Sequence, residues 1–191
     1  MKKLIVIVVL IMTPVVTFAQ SIFDKFEDNK DVASVIVNQK MFSMLAKIDI
    51  DLDDPEAEEY LSMVKKITGL KVFTTGDEQV SADMKTTMNQ YLKTSNLSEL
   101  MRIKDGDQTV QFYVKEGSDD DHVKELLMFV TGLKELTKEK SIEINGKKRE
   151  FETVLLSLTG DIDLRQISKI TNKMDVPGGD KLKKVGDKNN K

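Results

Sequence analysis

The chain has no cysteine, no tryptophan and a single histidine, His122. Without cysteine it forms no disulfide, offers no thiol nucleophile and carries no acceptor for lipid attachment at a bacterial lipobox. One imidazole excludes any metal site built on two or three histidines of one chain, and a Ser-His-Asp hydrolase would have only His122 as its base. The G-x-S-x-G elbow of many such hydrolases does not occur, nor does a P-loop or a G-x-G-x-x-G dinucleotide fingerprint. Its 32 acids leave many carboxylate pairs open for glycosidase chemistry. With no tryptophan and three tyrosines to stack on a sugar, that chemistry finds no support.

The first residues carry an address. Met1-Lys2-Lys3 is a basic leader, Leu4 to Met12 is unbroken apolar sequence, and small Thr17 and Ala19 stand where a signal peptidase reads. The apolar stretch from Leu4 to Ala19 is about four residues short of the roughly 20 that a spanning helix needs. The expectation is a signal peptide over 1–19, cleaved before Gln20, and an exported chain in the periplasm or outside the cell that is not a lipoprotein. A retained anchor is the alternative. Cleavage would remove two lysines and no acids, leaving 27 basic against 32 acidic residues, a balance of −5. That sign argues against nucleic acid or an anionic membrane as partner. The 172 residues from Gln20 onward fit one core held by burial alone. A single domain is expected over 20–176. Pro177-Gly178-Gly179 then opens a polar tail, 177–191, whose lysines are either a frayed terminus or a contact for an acidic partner.

Periodicity supplies the map. β-Branched VASVIVN (32–38) reads as a strand and MFSMLAKI as a short apolar helix. From Pro55, a stripe at Ala57, Tyr60, Leu61, Val64 and Ile67 predicts a helix that Gly69 stops. LKVFTT (70–75) reads as a strand, and Gly76-Asp77 opens a helix striped by Val80, Met84, Met88, Tyr91 and Leu92. Strands at 98–104 and 109–115 flank a turn at Asp105-Gly106-Asp107. In the second of them Gln111, Tyr113 and Lys115 face away from Val110, Phe112 and Val114, and they are the expected exposed surface. HVKELLMFV (122–130) fits either element and is assigned as a strand. Asn145-Gly146 signals a hairpin between SIEI and KKREFETVLLSL. A last helix is expected from about Ile162, with Leu164, Ile167, Ile170 and Met174 inward. The class is α+β, a mainly antiparallel sheet of five or six strands with helices mostly on one face.

KIDIDLDDPEAEEY (47–60) is the densest acidic stretch. Asp49, Asp51 and Asp53 match positions 1, 3 and 5 of an EF-hand loop, but position 6 is Asp54 instead of glycine and position 12 is Tyr60 instead of glutamate. The sharp turn and the bidentate ligand are both lost, so the EF-hand fails and only a looser surface calcium site stays open. The structural account is an amphipathic lead-in, a capping aspartate, Pro55 at the first helical position, and acids in a first turn that favours negative charge. Met41/Met44 and Met84/Met88 have thioether spacing for Cu(I), yet both pairs lie on apolar stripes and read as core. In SLTGDIDLRQISKI, Gly160 is the expected turn, Asp161 the helix cap, and Asp163 a first-turn residue. His122 follows Asp119, Asp120 and Asp121 and reads as a surface histidine.

A leader ending Phe-Ala-Gln, VASVIVNQKMF, LKVFTT, ELLMFVTG and above all SLTGDIDLRQISKI resembles a family of small exported bacterial proteins catalogued as a domain of unknown function (family 4252). The resemblance spans the domain after the leader. It implies one domain and carries no activity, cofactor or catalytic residue onto these positions. The functional expectation is a non-enzymatic binding or interaction protein of the cell envelope. Its partner is another envelope protein or a small ligand, and it uses no cofactor, no metal and no membrane span after cleavage. The alternative is an envelope hydrolase using carboxylates or a bound divalent metal, with Asp49, Asp51, Asp161 and Asp163 its parts if the two DIDL segments meet.

Overall fold

The structure, a computed structural model, describes residues 22–47, 55–140, 143–144, 147–148 and 150–165. A 3-10 turn at Asp24–Phe26 leads into β1 (Val32–Asn38), α1 (Gln39–Leu45), α2 (Pro55–Lys66), β2 (Ile67–Thr75) and α3 (Glu78–Thr94). Then come β3 (Ser98–Asp105), β4 (Gln108–Glu116), β5 (His122–Thr131), α4 (Lys134–Lys140), β6 (Glu143–Ile144), β7 (Lys147–Lys148) and β8 (Thr153–Asp163). Six strands make one antiparallel sheet in the order β1-β2-β8-β5-β4-β3, and β6 pairs with β7 apart from it. The last strand is therefore central: β8 joins the β1-β2 pair to the β3-β4-β5 meander.

Both faces of this sheet are covered, and that decides how its strands read. On one face Phe73, Tyr113, Leu127, Phe129 and Leu155 pack with Met84 and Met88 of α3 and with Phe23 and Phe26 around the 3-10 turn. On the other, Phe112, Val114, Leu126, Leu158 and Ile162 pack with Phe42 of α1 and Met63 and Val64 of α2. Phe73, Leu127, Leu155 and Ile162 have no exposed surface at all; each such side chain contributes about 1.5–3 kcal/mol relative to an exposed one. The α+β class and the antiparallel sheet are as expected. The longest helix occupies the first face with the 3-10 turn, while α1 and α2 add cover to the second. HVKELLMFV is a strand, as assigned. Its ambiguity has a physical cause, since a strand buried on both faces has no polar side to alternate.

Capping follows local chemistry at α3. The Asp77 carboxylate accepts from the backbone N–H groups of Gln79 and Val80, each at 2.9 Å, which satisfies two donors that the first turn leaves open.

Several expectations are corrected. Helix α2 ends at Lys66, not at Gly69, because Ile67 is taken into β2 opposite Gly160 and buried in the second core. Gly160 makes no turn. It sits inside β8 at φ 146°, where a Cβ would lie 2.4 Å from the Lys66 carbonyl oxygen, so the α2–β2 junction presses on a position only glycine fills. The strand continues to Asp163 with Ile162 fully buried in it, and helical residues begin at Leu164. Ile167, Ile170 and Met174 lie outside the described residues, as do the 1–19 leader, the 177–191 tail and Asn145-Gly146. Lys147 and Lys148 belong to the small hairpin, separate from β8. Tyr113 is 7 % exposed and buried against α3's face of the sheet, so the Gln111-Tyr113-Lys115 row is not an open surface. Met84 and Met88 are core, whereas Met41 and Met44 are 47 % and 57 % exposed on α1.

Candidate functional site

The only histidine stands where β5 begins and β8 ends, because the register sets His122 opposite Asp163. The chain enters β5 through a turn in which Asp119 Oδ1 accepts from the backbone N–H groups of Asp121 and His122, both at 3.1 Å. The same oxygen meets His122 Nδ1 at 2.7 Å. That contact raises the imidazole above its ordinary pKa and lowers the Asp119 carboxyl. Across the pair, Arg165 Nε and Nη2 each donate to the Asp163 carboxylate at 3.1 Å, and Arg165 Nη1 lies 3.2 Å from Asp121. Asp163 Oδ1 also accepts from the Arg165 backbone N–H at 2.9 Å. The cap expected of Asp161 is thus made by Asp163, and Asp161 instead pairs with Lys66 at 3.2 Å.

Four carboxylates of this corner, Asp119, Asp121, Asp161 and Asp163, are engaged by three basic side chains, with Arg165 shared between Asp121 and Asp163. Burial works to raise the Asp163 carboxyl, yet its bonds to Arg165 hold it below the ordinary carboxylate value. Among the described residues, no group of three or more histidine, aspartate or glutamate side chains converges as a metal site. Asp49 and Asp51 lie outside the described residues. Of the four acids singled out from sequence, the structure places Asp161 and Asp163, and each is engaged by its own cation.

A second group, with no signal in the sequence, lies beneath α3. Glu125 is 7 % exposed, and Tyr91 of α3 turns its hydroxyl to both carboxylate oxygens at 3.0 and 2.8 Å. Ser157 of β8 donates to the same carboxylate at 3.4 Å. Burial raises the Glu125 carboxyl, against the pull of Tyr91, Lys115 and Ser157, and burial together with Glu125 raises the Tyr91 phenol strongly. The arrangement ties helix to sheet.

A surface cleft of about 520 Å³ opens beside the first turn of α3, between Ser81, Lys85, Asp107, Gly132 and Glu152. Its polar groups largely serve each other. Lys134 bonds Glu78 at 2.8 Å, the Ser81 and Thr153 hydroxyls meet at 2.5 Å, and Glu152 accepts the Gly132 N–H at 3.2 Å.

The remaining feature is an edge. Every exposed large apolar residue among the described residues falls between Ile22 and Leu45: Ile22, Val35, Ile36, Met41, Met44 and Leu45. Val35 and Ile36, 55 % and 44 % exposed, sit on β1, whose single neighbour among the described strands is β2. Met41, Met44 and Leu45 recur at i, i+3 and i+4 on α1, while Phe42 turns into the second core. The Asn38 side chain accepts the Met41 N–H at 3.1 Å and starts α1 directly from the end of the strand. β1 and α1 are consecutive, so the apolar surface gathers at one end of the sheet. VASVIVN contains no charged residue and no proline that would blunt such an edge.

No curated protein and no solved structure matches the chain. A family model, Domain of unknown function (DUF4252), matches residues 26–170, which run from the 3-10 turn past the end of β8, so the chain belongs to that family.

Proposed function

We propose that this is an exported, non-enzymatic protein that binds a protein partner in the cell envelope along the edge made by β1 and α1. One observation carries the reading: the exposed apolar residues are concentrated on an uncharged edge strand and the helix that follows it. Backbone groups on such an edge give affinity to an incoming strand, and flanking apolar side chains give it specificity. Concentrated exposed apolar surface marks interaction sites on proteins that otherwise bury such residues. Export rests on the basic start, the apolar run and the small residues at Thr17 and Ala19.

The test is a photoreactive side chain installed at Ile36, with Arg102 on the opposite edge as comparison, irradiated in intact cells of the native host. Adducts from position 36 and none from 102 are expected. Equal yield from both positions, or none from 36, would remove the β1–α1 edge as the site. Amino-terminal sequencing of the envelope fraction should begin at Gln20; a chain that starts at Met1 would refute cleavage.

A further inference from the structure

Resting on the reading of β1 as a binding edge, we infer that the strand it receives is β1 of a second copy of this chain, paired antiparallel about Val35. A two-fold ladder places one sequence against its own reverse, so it requires that the strand oppose no like charges to itself. VASVIVN meets this condition along its whole length. With Val35 on the axis, Val32 lies opposite Asn38 of the second copy, Ala33 opposite Val37, and Ser34 opposite Ile36. The Val32 N–H already donates to the Asn29 carbonyl at 3.0 Å, so Ala33 to Val37 carry the ladder, and the exposed Val35 meets its own equivalent.

The flanks agree in sign. Asp28 and Asp31 precede the strand, with Lys30 between them, and Lys40 and Lys47 follow it. Antiparallel pairing brings the end of one copy that carries Asp31 to the end of the other where α1 starts with Lys40, and it does so at both ends. Both of these side chains are exposed. Each α1, leaving its strand at Asn38, stands at the end of the joint ladder where the other copy's β1 begins. Its Met41, Met44 and Leu45 face is exposed there and extends the apolar contact beyond the backbone ladder.

The absence of cysteine makes the test direct, since one introduced thiol has no rival in the chain. Opposed residues in an antiparallel pair have Cα atoms about 4.5–5.5 Å apart, within the roughly 4.4–6.8 Å that a disulfide spans. Val35→Cys should therefore give a disulfide-linked dimer under mild oxidation. Ala33→Cys should not, because its equivalent lies four residues along the ladder, roughly 14 Å away. The full-length chain is expressed and the species the cell makes is purified for sedimentation. Wild type should sediment as a dimer, and Val35→Lys should weaken that dimer at least roughly a hundredfold by setting two ammonium groups face to face. Val35 is largely exposed, so the variant should keep its circular dichroism and, at concentrations where wild type is also monomeric, its melting temperature.

A wild-type monomer with no Val35→Cys trap overturns self-pairing. So does a dimer indifferent to Val35→Lys, or one trapped through Ala33→Cys. The photoreactive probe at Ile36 separates this failure from that of the broader reading. Adducts to a different protein would sink the second copy while keeping the edge, and no adduct would sink both.

Discussion

The two edges of the sheet are built on opposite plans. β3 carries Glu99, Arg102, Lys104 and Asp105 in eight residues, and the Arg102 guanidinium grips Glu99 at 3.1 and 2.5 Å. Approaching that edge means stripping water from charges already paired on the strand. β1 carries no charge in seven residues and exposes Val35 and Ile36. Among the described residues both strands pair along one side only, so the side chains set the difference. Charge on an edge is how sheet proteins avoid joining their neighbours. Charge is present at β3 and absent at β1, and the proposed binding edge rests on that difference.

The largest effect should come from what the two edges share. Leu155 of β8 has no exposed surface, and Leu155→Ala should cost about 2–5 kcal/mol in denaturant unfolding. β8 joins the halves, so hydrogen exchange should rise at β1 and β3 together. A rise confined to one edge would mean the halves are separately stable and would break the comparison at its root. Next, Glu99→Val with Arg102→Val makes β3 resemble β1. This double variant should self-associate through its new apolar edge in sedimentation, with little change in melting temperature. If it stays as dispersed as wild type, edge charge is not what keeps β3 apart.

A smaller effect is expected away from both edges. Burial raises the Glu125 carboxyl, so the folded state holds its proton to higher pH than the unfolded chain does. Stability therefore falls as pH rises from the unfolded carboxyl value through the folded one. Glu125→Gln keeps an acceptor for Tyr91 and removes the charge. It should raise the melting temperature by a few degrees at pH 8 and by almost nothing at pH 4, with association unchanged. A lower melting temperature at pH 8 would show that the ionised pair with Tyr91 outweighs its burial.

The smallest effect concerns His122, whose pKa the Asp119 contact raises. The stabilisation is complete below the unfolded imidazole value and is lost as pH rises through the folded one. Imidazole shifts followed by NMR should titrate above the ordinary histidine value in wild type and drop towards it in Asp119→Asn. An unshifted midpoint would mean the turn does not hold the pair in solution.

Much of this architecture was legible. VASVIVN, LKVFTT and the two strands around Asp105-Gly106-Asp107 announced themselves through β-branched content and turn residues, and α3 through its stripe and Asp77. Strand β5 was harder because burial on both faces erased its alternation. The 3-10 turn with Phe23 and Phe26 had too few residues for any period, and α4, KELTKEK, shows no apolar stripe. Among the acids, sequence drew attention to the repeated Asp-Ile-Asp-Leu. The structure gives Asp161 to Lys66 and Asp163 to Arg165. The pairing of Glu125 with Tyr91 went unseen, since 34 residues separate them in the chain and only the packing of α3 on β5 brings them together.

The amino-acid sequence by itself determined the local rules: which segments extend, where α3 starts, and which catalytic constellations are absent. It does so because propensity, capping and turn chemistry act over a few residues. Strand order was decided only in the folded molecule. The insertion of β8 between β2 and β5 leaves β1 and β3 outermost. That arrangement turns VASVIVN from an apolar run, indistinguishable from a core strand, into an edge. Exposure is a property of neighbours, and β1's neighbours are set by contacts that close long loops of chain.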